Sequence, residues 1–279
     1  MPSSDHLLPG LALTLWVGAS AAFADAPARV VSMNLCTDQL AMLLAAPGQL
    51  ISVSHLASDP MASTMVAEAQ AYPVNRGGAE QIFLMEPDLV LAGSYTSLAS
   101  VELLRGLGVE VVQLAPASSL EDVAAHMRQI GAVLGQSEKA EAMAADFEMR
   151  LELFRHTGDA ATAAMYYPNG YTTGEGTLSD DILKLTGFRN IGAEAGVTGG
   201  GILPLERLVM AAPEMIVTST PYPGASRSEE ILTHPALAAL RDKAAASRIT
   251  DADWICGSPY LLRAVSAMAD ARTALDKGK

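Results

Sequence analysis

Arginine and lysine are scarce in this chain: 18 stand against 31 aspartates and glutamates, giving a formal net charge of −13 and a pI near 4.7. Nucleic-acid phosphates select basic surfaces, so the deficit excludes a nucleic-acid partner. No basic amphipathic helix offers itself to a membrane surface either. Beyond the N-terminus no apolar run approaches the roughly 20 residues of a membrane-spanning helix, although half of the residues are hydrophobic and the mean hydropathy is +0.24. There are two cysteines and no CxxC, HxxxH or histidine cluster, so no metal cage of familiar spacing is present. GxSxG, HExxH and the Walker A pattern are missing, and Thr173–Thr177, TGEGT, is too short a glycine match to cradle phosphate. Neither a catalytic metal nor a resident cofactor is expected.

What is present begins with an address. Leu7–Phe23 is a short apolar, alanine-rich segment ending in Ala22-Phe23-Ala24, the small-x-small pattern of a secretory cleavage site. Asp5 and His6 stand where a signal peptide ordinarily carries lysine or arginine. No cysteine closes the segment, so a lipoprotein anchor is not available. The expectation is a signal peptide over residues 1–24 and a soluble, monomeric mature chain in a bacterial periplasm.

From Arg29 onward, strand and helix alternate. RVVSM (29–33), LISVS (50–54), DLVLAG (88–93) and VEVVQL (109–114) are short, continuously apolar strands, the pattern of a parallel sheet buried on both faces. The helix over 36–45 takes Thr37 as its N-cap and Asp38 in its first turn. Ser118-x-x-Glu121 reads as a capping box opening a helix to about Leu134, and a second helix runs from Ser137 to about His156. The alternation resumes with TAAMYY (162–167), a helix near 179–186, EMIVTS (214–219) and a strand near 247–250. Ser258 and Pro259 open the last helix. This divides the chain into an α/β lobe at 25–136, a connector helix at 137–157 and an α/β lobe at 158–279.

One stretch occurs twice. Gly77–Ala92, GGAEQIFLMEPDLVLA, and Leu203–Thr218, LPLERLVMAAPEMIVT, align at an offset of 126, pairing Glu80 with Glu206, Ile82 with Leu208, Pro87 with Pro213 and Asp88 with Glu214. Each copy is a carboxylate-led helix that stops before a proline and runs into a buried strand.

In their order and spacing, three segments, RVVSMNLCTDQL, GGAEQIFLMEPDLVLA and DWICGSPYLLRAV, resemble the metal-chelate class of periplasmic substrate-binding proteins of ABC importers, which deliver ferric siderophores, haem or cobalamin. The resemblance implies a class III periplasmic binding protein fold: two Rossmann-like lobes with parallel sheets, joined by a single long connector helix, with a ligand between them and slight closure on binding. It implies that Glu80 and Glu206, one per lobe, pair with arginines of a permease dimer driven by its ATPase subunits. A helix-dipole role for each glutamate is compatible with that.

The cleft is then assembled from loops at strand ends. Asn34, Cys36, His55, Arg76 and Tyr95 come from the first lobe; Tyr167, Tyr171, Tyr222, Arg227 and Trp254 come from the second. Polar-tipped aromatics suit a flat, partly apolar ligand. Arg76 and Arg227 are the cations an anionic ferric chelate needs, which makes a ferric siderophore the first expectation, with cobalamin and haem as alternatives and His55 as a haem ligand. Cys36 and Cys256 are candidates for a disulfide, an even count in an oxidising compartment. Two other classes stand beside this one: an exported hydrolase using Glu175, Asp180 and Asp181, and a ligand-sensing lobe.

Overall fold

The computed structural model describes residues 26–220, 226–241, 244–249 and 251–278; residues 1–24 and Tyr222 lie outside them. In the first half, β1 (Val30–Ser32), β2 (Leu50–Ser54), β3 (Val74–Asn75), β4 (Leu89–Gly93) and β5 (Glu110–Leu114) form a parallel sheet in the order β3-β2-β1-β4-β5. Helices α1 (Leu35–Leu44), α2 (Val66–Ala69), α3 (Ala79–Phe83) and α4 (Leu98–Gly106) connect its strands. Then α5 (Leu120–Val133) and α6 (Ser137–Glu152) pack together as a hairpin.

In the second half, β6 (Ala161–Met165), β8 (Phe188–Asn190), β10 (Met215–Ser219) and β11 (Ala245–Ile249) are parallel in the order β11-β10-β6-β8. A small antiparallel ribbon joins β7 (Tyr171–Thr173) to β9 (Gly200–Ile202). The helices here are α7 (Leu178–Leu185), α8 (Ile191–Glu194), α9 (Leu205–Ala211), α10 (Pro235–Arg241), α11 (Asp251–Trp254) and α12 (Leu262–Lys277).

The sequence repeat is also a repeat of structure. Ile82 and Leu208, both fully buried, pin α3 and α9 to equivalent sheet faces over Val90 and Ile216. Each helix is left through a non-glycine residue in the left-handed region, Glu86 (φ 50°) and Ala212 (φ 42°), immediately before the proline. The following acid then ties down the neighbouring strand. Asp88 accepts the backbone N–H groups of Ala28 and Arg29 at 2.7 and 2.9 Å, and Glu214 accepts that of Thr162 at 2.9 Å.

The helical hairpin reaches both halves. At the start of α5 the Leu120 N–H donates to Asp181 at 3.2 Å; at its end Gln49 donates to the Leu134 carbonyl at 2.8 Å. Near the start of α6, Lys139 reaches the Leu44 carbonyl at 3.4 Å, and further along it packs on α12. The helix expected over 137–157 ends at Glu152, and α6 is one arm of a two-helix hairpin that touches both halves. Apolar packing is continuous across it: one buried cluster runs from Val30 and Leu40 through Met127, Ile130 and Phe147 to Ile182, Met215 and Val265.

Three helix starts differ from the sequence expectation. α1 is capped by Asn34, whose side chain accepts the Cys36 N–H at 3.0 Å. Thr37 already lies inside the first turn, with its hydroxyl against Ser32 and the Asn34 carbonyl. The capping box of α5 is Ser119 with Asp122, one residue on from Ser118 and Glu121, because the shorter aspartate closes the reciprocal bond. Ser258 precedes a 3-10 turn, Pro259–Leu261, and makes no side-chain cap there; its hydroxyl is used elsewhere.

Asp38 fastens α1 to the end of β2. Fully buried, it accepts the Ser54 N–H at 3.0 Å and the Ser54 hydroxyl at 2.5 Å. Burial pushes its carboxyl up from 3.8 to about 7, against hydrogen bonds from Ser32 and Ser54 that lower it. A carboxyl raised by folding adds stability that is complete below about pH 4 and is lost as the pH rises through about 7. Melting curves should therefore show the wild type losing several degrees between pH 5 and pH 8, and Asp38→Asn losing much less. An equal fall in the variant would show that another group carries the pH dependence.

Candidate functional site

A cavity of about 500 Å³ opens where the carboxyl ends of the strands of both sheets converge. The first half supplies Asn34 and Cys36 after β1 and Ser94 and Tyr95 after β4. The segment from Leu114 to Ala117, at and after the end of β5, and His126 of α5 also contribute. The second half supplies Tyr167, Tyr171 and Trp254, with Thr173, Thr177 and Ser179 around the start of α7.

The aromatics are arranged, not scattered. Tyr167 lies with its ring centre 6.4 Å from that of Tyr171 and 6.4 Å from that of Trp254, the latter edge-on, a geometry that ring quadrupoles favour. Tyr95, 90% exposed, lines the cavity from the first half. Tyr166, the neighbour of Tyr167, turns the other way and is fully buried in the second half's outer core.

Six of the expected residues therefore come together: Asn34, Cys36, Tyr95, Tyr167, Tyr171 and Trp254. His55, Arg76 and Arg227 are exposed and do not line the cavity. His55 follows β2 and Arg76 follows β3, the two strands farthest from β5 in the sheet, while the cavity sits beyond β1, β4 and β5. Asp180 and Asp181 are held structurally: the first pairs with Asn190 at 3.0 Å and Lys184 at 2.7 Å, and the second accepts the Leu120 N–H.

His126 is the residue that sequence reasoning passes over. It is 9% exposed, lines the cavity, and has no hydrogen bond to either ring nitrogen among the described residues. Burial holds its pKa below the usual histidine range, with the Asp122 charge acting the other way. The imidazole is thus neutral at pH 7, with a lone pair to offer a hydrogen-bond donor or a metal. Its signal in the sequence is faint: a polar residue on the face of α5 that also carries Val123, Met127 and Ile130.

At one edge of the cavity the two halves are clamped. Cys36 and Cys256 form a disulfide with a Cα separation of 5.0 Å. Beside it, Ser258 donates to Gln39 of α1 at 2.9 Å in a buried bond. Between them Gly257 has no room for a side chain: a Cβ there would lie 2.7 Å from that of Ala117.

The family described as periplasmic binding protein matches residues 30–248, from β1 into β11. The chain belongs to that family. The vitamin B12-binding protein of Pectobacterium carotovorum is 27% identical over 263 residues, covering 90% of this chain and 91% of its own length. Among solved structures, the periplasmic haem-binding protein of Roseiflexus sp. RS-1 superposes with a TM-score of 0.70 at 21% identity, over 88% of this chain and 98% of its own. The periplasmic vitamin B12-binding protein of Vibrio cholerae gives 0.68 at 18% identity, over 90% and 98%. This is the class III periplasmic binding protein fold, and these relatives are solute-binding proteins, not enzymes.

For this periplasmic binding protein the disulfide closes a loop with a sequence separation of 220 residues. Its removal releases a large unfolded-state entropy, so Cys36→Ser with Cys256→Ser should lower stability by about 2–5 kcal/mol in denaturant unfolding. An unchanged midpoint would mean that the buried core alone holds the halves together.

Proposed function

We propose that this periplasmic binding protein carries a metal chelate of the corrinoid class to an ABC permease. The observation that carries the reading is the charge of the cleft. Among the described lining residues there is no lysine, arginine, aspartate or glutamate, and the one histidine is held neutral. A ferric siderophore of net negative charge, or haem with its two propionates, needs cations in its site. The ferric-siderophore expectation leans on Arg76 and Arg227, and neither faces the cleft. A corrinoid carries amides where haem carries carboxylates. It asks for aromatic faces and neutral hydrogen-bonding groups, the complement of Tyr95, Tyr167, Tyr171 and Trp254 with Asn34, Ser94, Thr173 and Ser179. The name of the Pectobacterium relative supports the same class.

No three His, Cys, Asp or Glu side chains gather to hold a bare ion among the described residues. The metal accordingly arrives chelated by its own macrocycle, and His126 faces it as a neutral donor or acceptor. A cavity of this size admits part of a macrocycle and leaves the remainder at the open mouth. The loaded carrier, a monomer exported by way of residues 1–24, then meets a permease dimer with its ATPase subunits through Glu80 and Glu206. Both glutamates are exposed and neither is ion-paired among the described residues. Carboxylates on two lobes are steered to arginines and held by charge-assisted hydrogen bonds.

Titration followed through Trp254 fluorescence tests the ligand class. Cyanocobalamin should quench saturably, and His126→Ala should weaken it about tenfold, the loss of one buried polar contact. Haemin and an anionic ferric siderophore should not saturate at comparable concentration. Saturation by a siderophore alone would make that the cargo, and no saturation by any of the three would remove the metal-chelate reading.

A further inference from the structure

The two copies of the repeat share more than a glutamate. On α3 and its C-cap, Glu80 is followed by buried Ile82, by Phe83 at 41% exposure and by the C-cap Leu84 at 80%. On α9, Glu206 is followed by buried Leu208, by Val209 at 39% and by Met210 at 85%. Position for position, at the same offset of 126, acid, buried anchor, half-exposed apolar residue and fully presented apolar residue recur. Residues three and four apart lie on one helical face. Each lobe therefore offers a carboxylate with an apolar pair beside it.

Single exposed apolar side chains are ordinary and carry no message. What carries the inference is recurrence at exposed positions of the helix while other exposed positions of the same helix have changed. Gln81, whose side chain accepts the Arg76 N–H at 3.0 Å, corresponds to Arg207, and Glu86 corresponds to Ala212. Folding alone needs only the buried anchor at Ile82 and Leu208, since the fold gains nothing from an apolar group held in water at Leu84 and Met210. Beside Leu84 the surface is further hollowed into a shallow recess of about 320 Å³ formed by Phe83, Leu84, Glu86, Pro87 and Val109.

We infer that Leu84 and Met210 are apolar anchors of a two-point docking face, each inserted into the partner next to the cation that takes Glu80 or Glu206. The partner is a protein that presents the same surface twice: a cation with an apolar recess beside it, related by a twofold axis. This rests on the permease docking proposed above and adds to it the contacts that make up each point. A second copy of this chain is a poor occupant, because its matching patches would bring carboxylates toward carboxylates on a chain of net charge −13. An anionic lipid surface is repelled for the same reason.

The test uses the permease complex that supports uptake with this chain, reconstituted in lipid nanodiscs, with empty nanodiscs of the same lipid as reference. Leu84→Ser and Met210→Ser should each weaken binding about tenfold, by similar factors that multiply in the double variant. Melting temperature and cyanocobalamin affinity should stay unchanged, since both side chains are exposed. Leu153→Ser, at a residue 79% exposed at the C-cap of α6 and outside both copies of the repeat, should bind as wild type. Glu80→Lys with Glu206→Lys should abolish binding. If the charge variants fail to bind while both serine variants bind normally, the anchors are wrong and the docking reading stands. If neither set weakens binding, docking itself is wrong. Equal weakening by Leu153→Ser, or binding to empty nanodiscs that the serine variants lose, would also overturn the inference.

Discussion

Everything about the cleft depends on the two halves being held at a fixed separation. Close-packed apolar groups do most of this, because the cluster of buried residues does not stop at the edge of either sheet but continues through α5 and α6. Such a core does not deform smoothly. At the rim the Cys36–Cys256 disulfide, the Gln39–Ser258 bond and the side-chain-free contact at Gly257 fix the same junction from the other side. The start of α1 is in turn set by Asn34 as its cap and by Asp38, buried against Ser54. Among the described residues, the two halves are therefore joined both by packed helices and by a covalent bond at the cleft.

That geometry makes the electrostatic character of the cleft decisive for its ligand. The chain carries a net charge of −13, whereas the described residues that line the cavity include no lysine, arginine, aspartate or glutamate. Desolvating a charged ligand against such a wall would be unfavourable without a countercharge, and on the proposed reading selection falls to shape, aromatic faces and neutral hydrogen bonds. On the proposed reading, the acidic exterior serves recognition by a different partner. The two glutamates proposed for that docking, Glu80 and Glu206, sit on helices positioned by the buried pair Ile82 and Leu208 and closed by the same left-handed exit before proline.

Much of this was legible in the sequence, and the parts that were not share a physical cause. Long apolar strands such as Leu50–Ser54 and Leu89–Gly93 announce themselves by composition, and the repeat by its constant offset. The strands Val74–Asn75, Tyr171–Thr173 and Gly200–Ile202 are two or three residues long, too short for a period to show. Every loop at a strand's carboxyl end is an equal candidate for the cleft until strand order is known. His55 and Arg76 qualify on that basis, and the order β3-β2-β1-β4-β5 places them away from the cavity. His126 was invisible for the opposite reason: it belongs to a helix, and only the tertiary fold turns that helix face into a cavity wall. Ser258 shows the same limit, since its partner Gln39 lies 219 positions away.

The central claim is that a corrinoid binds between the halves against a neutral aromatic wall. Amide hydrogen exchange, compared with and without cyanocobalamin, tests it most directly because it maps the contact surface without presupposing any residue. The account predicts slowed exchange in the segments around 93–96, 114–126, 167–179 and 254–257, with α3 and α9 unaffected. Protection centred instead on His55, Arg76 or Arg227, or no protection in the segments that line the cavity, would contradict it.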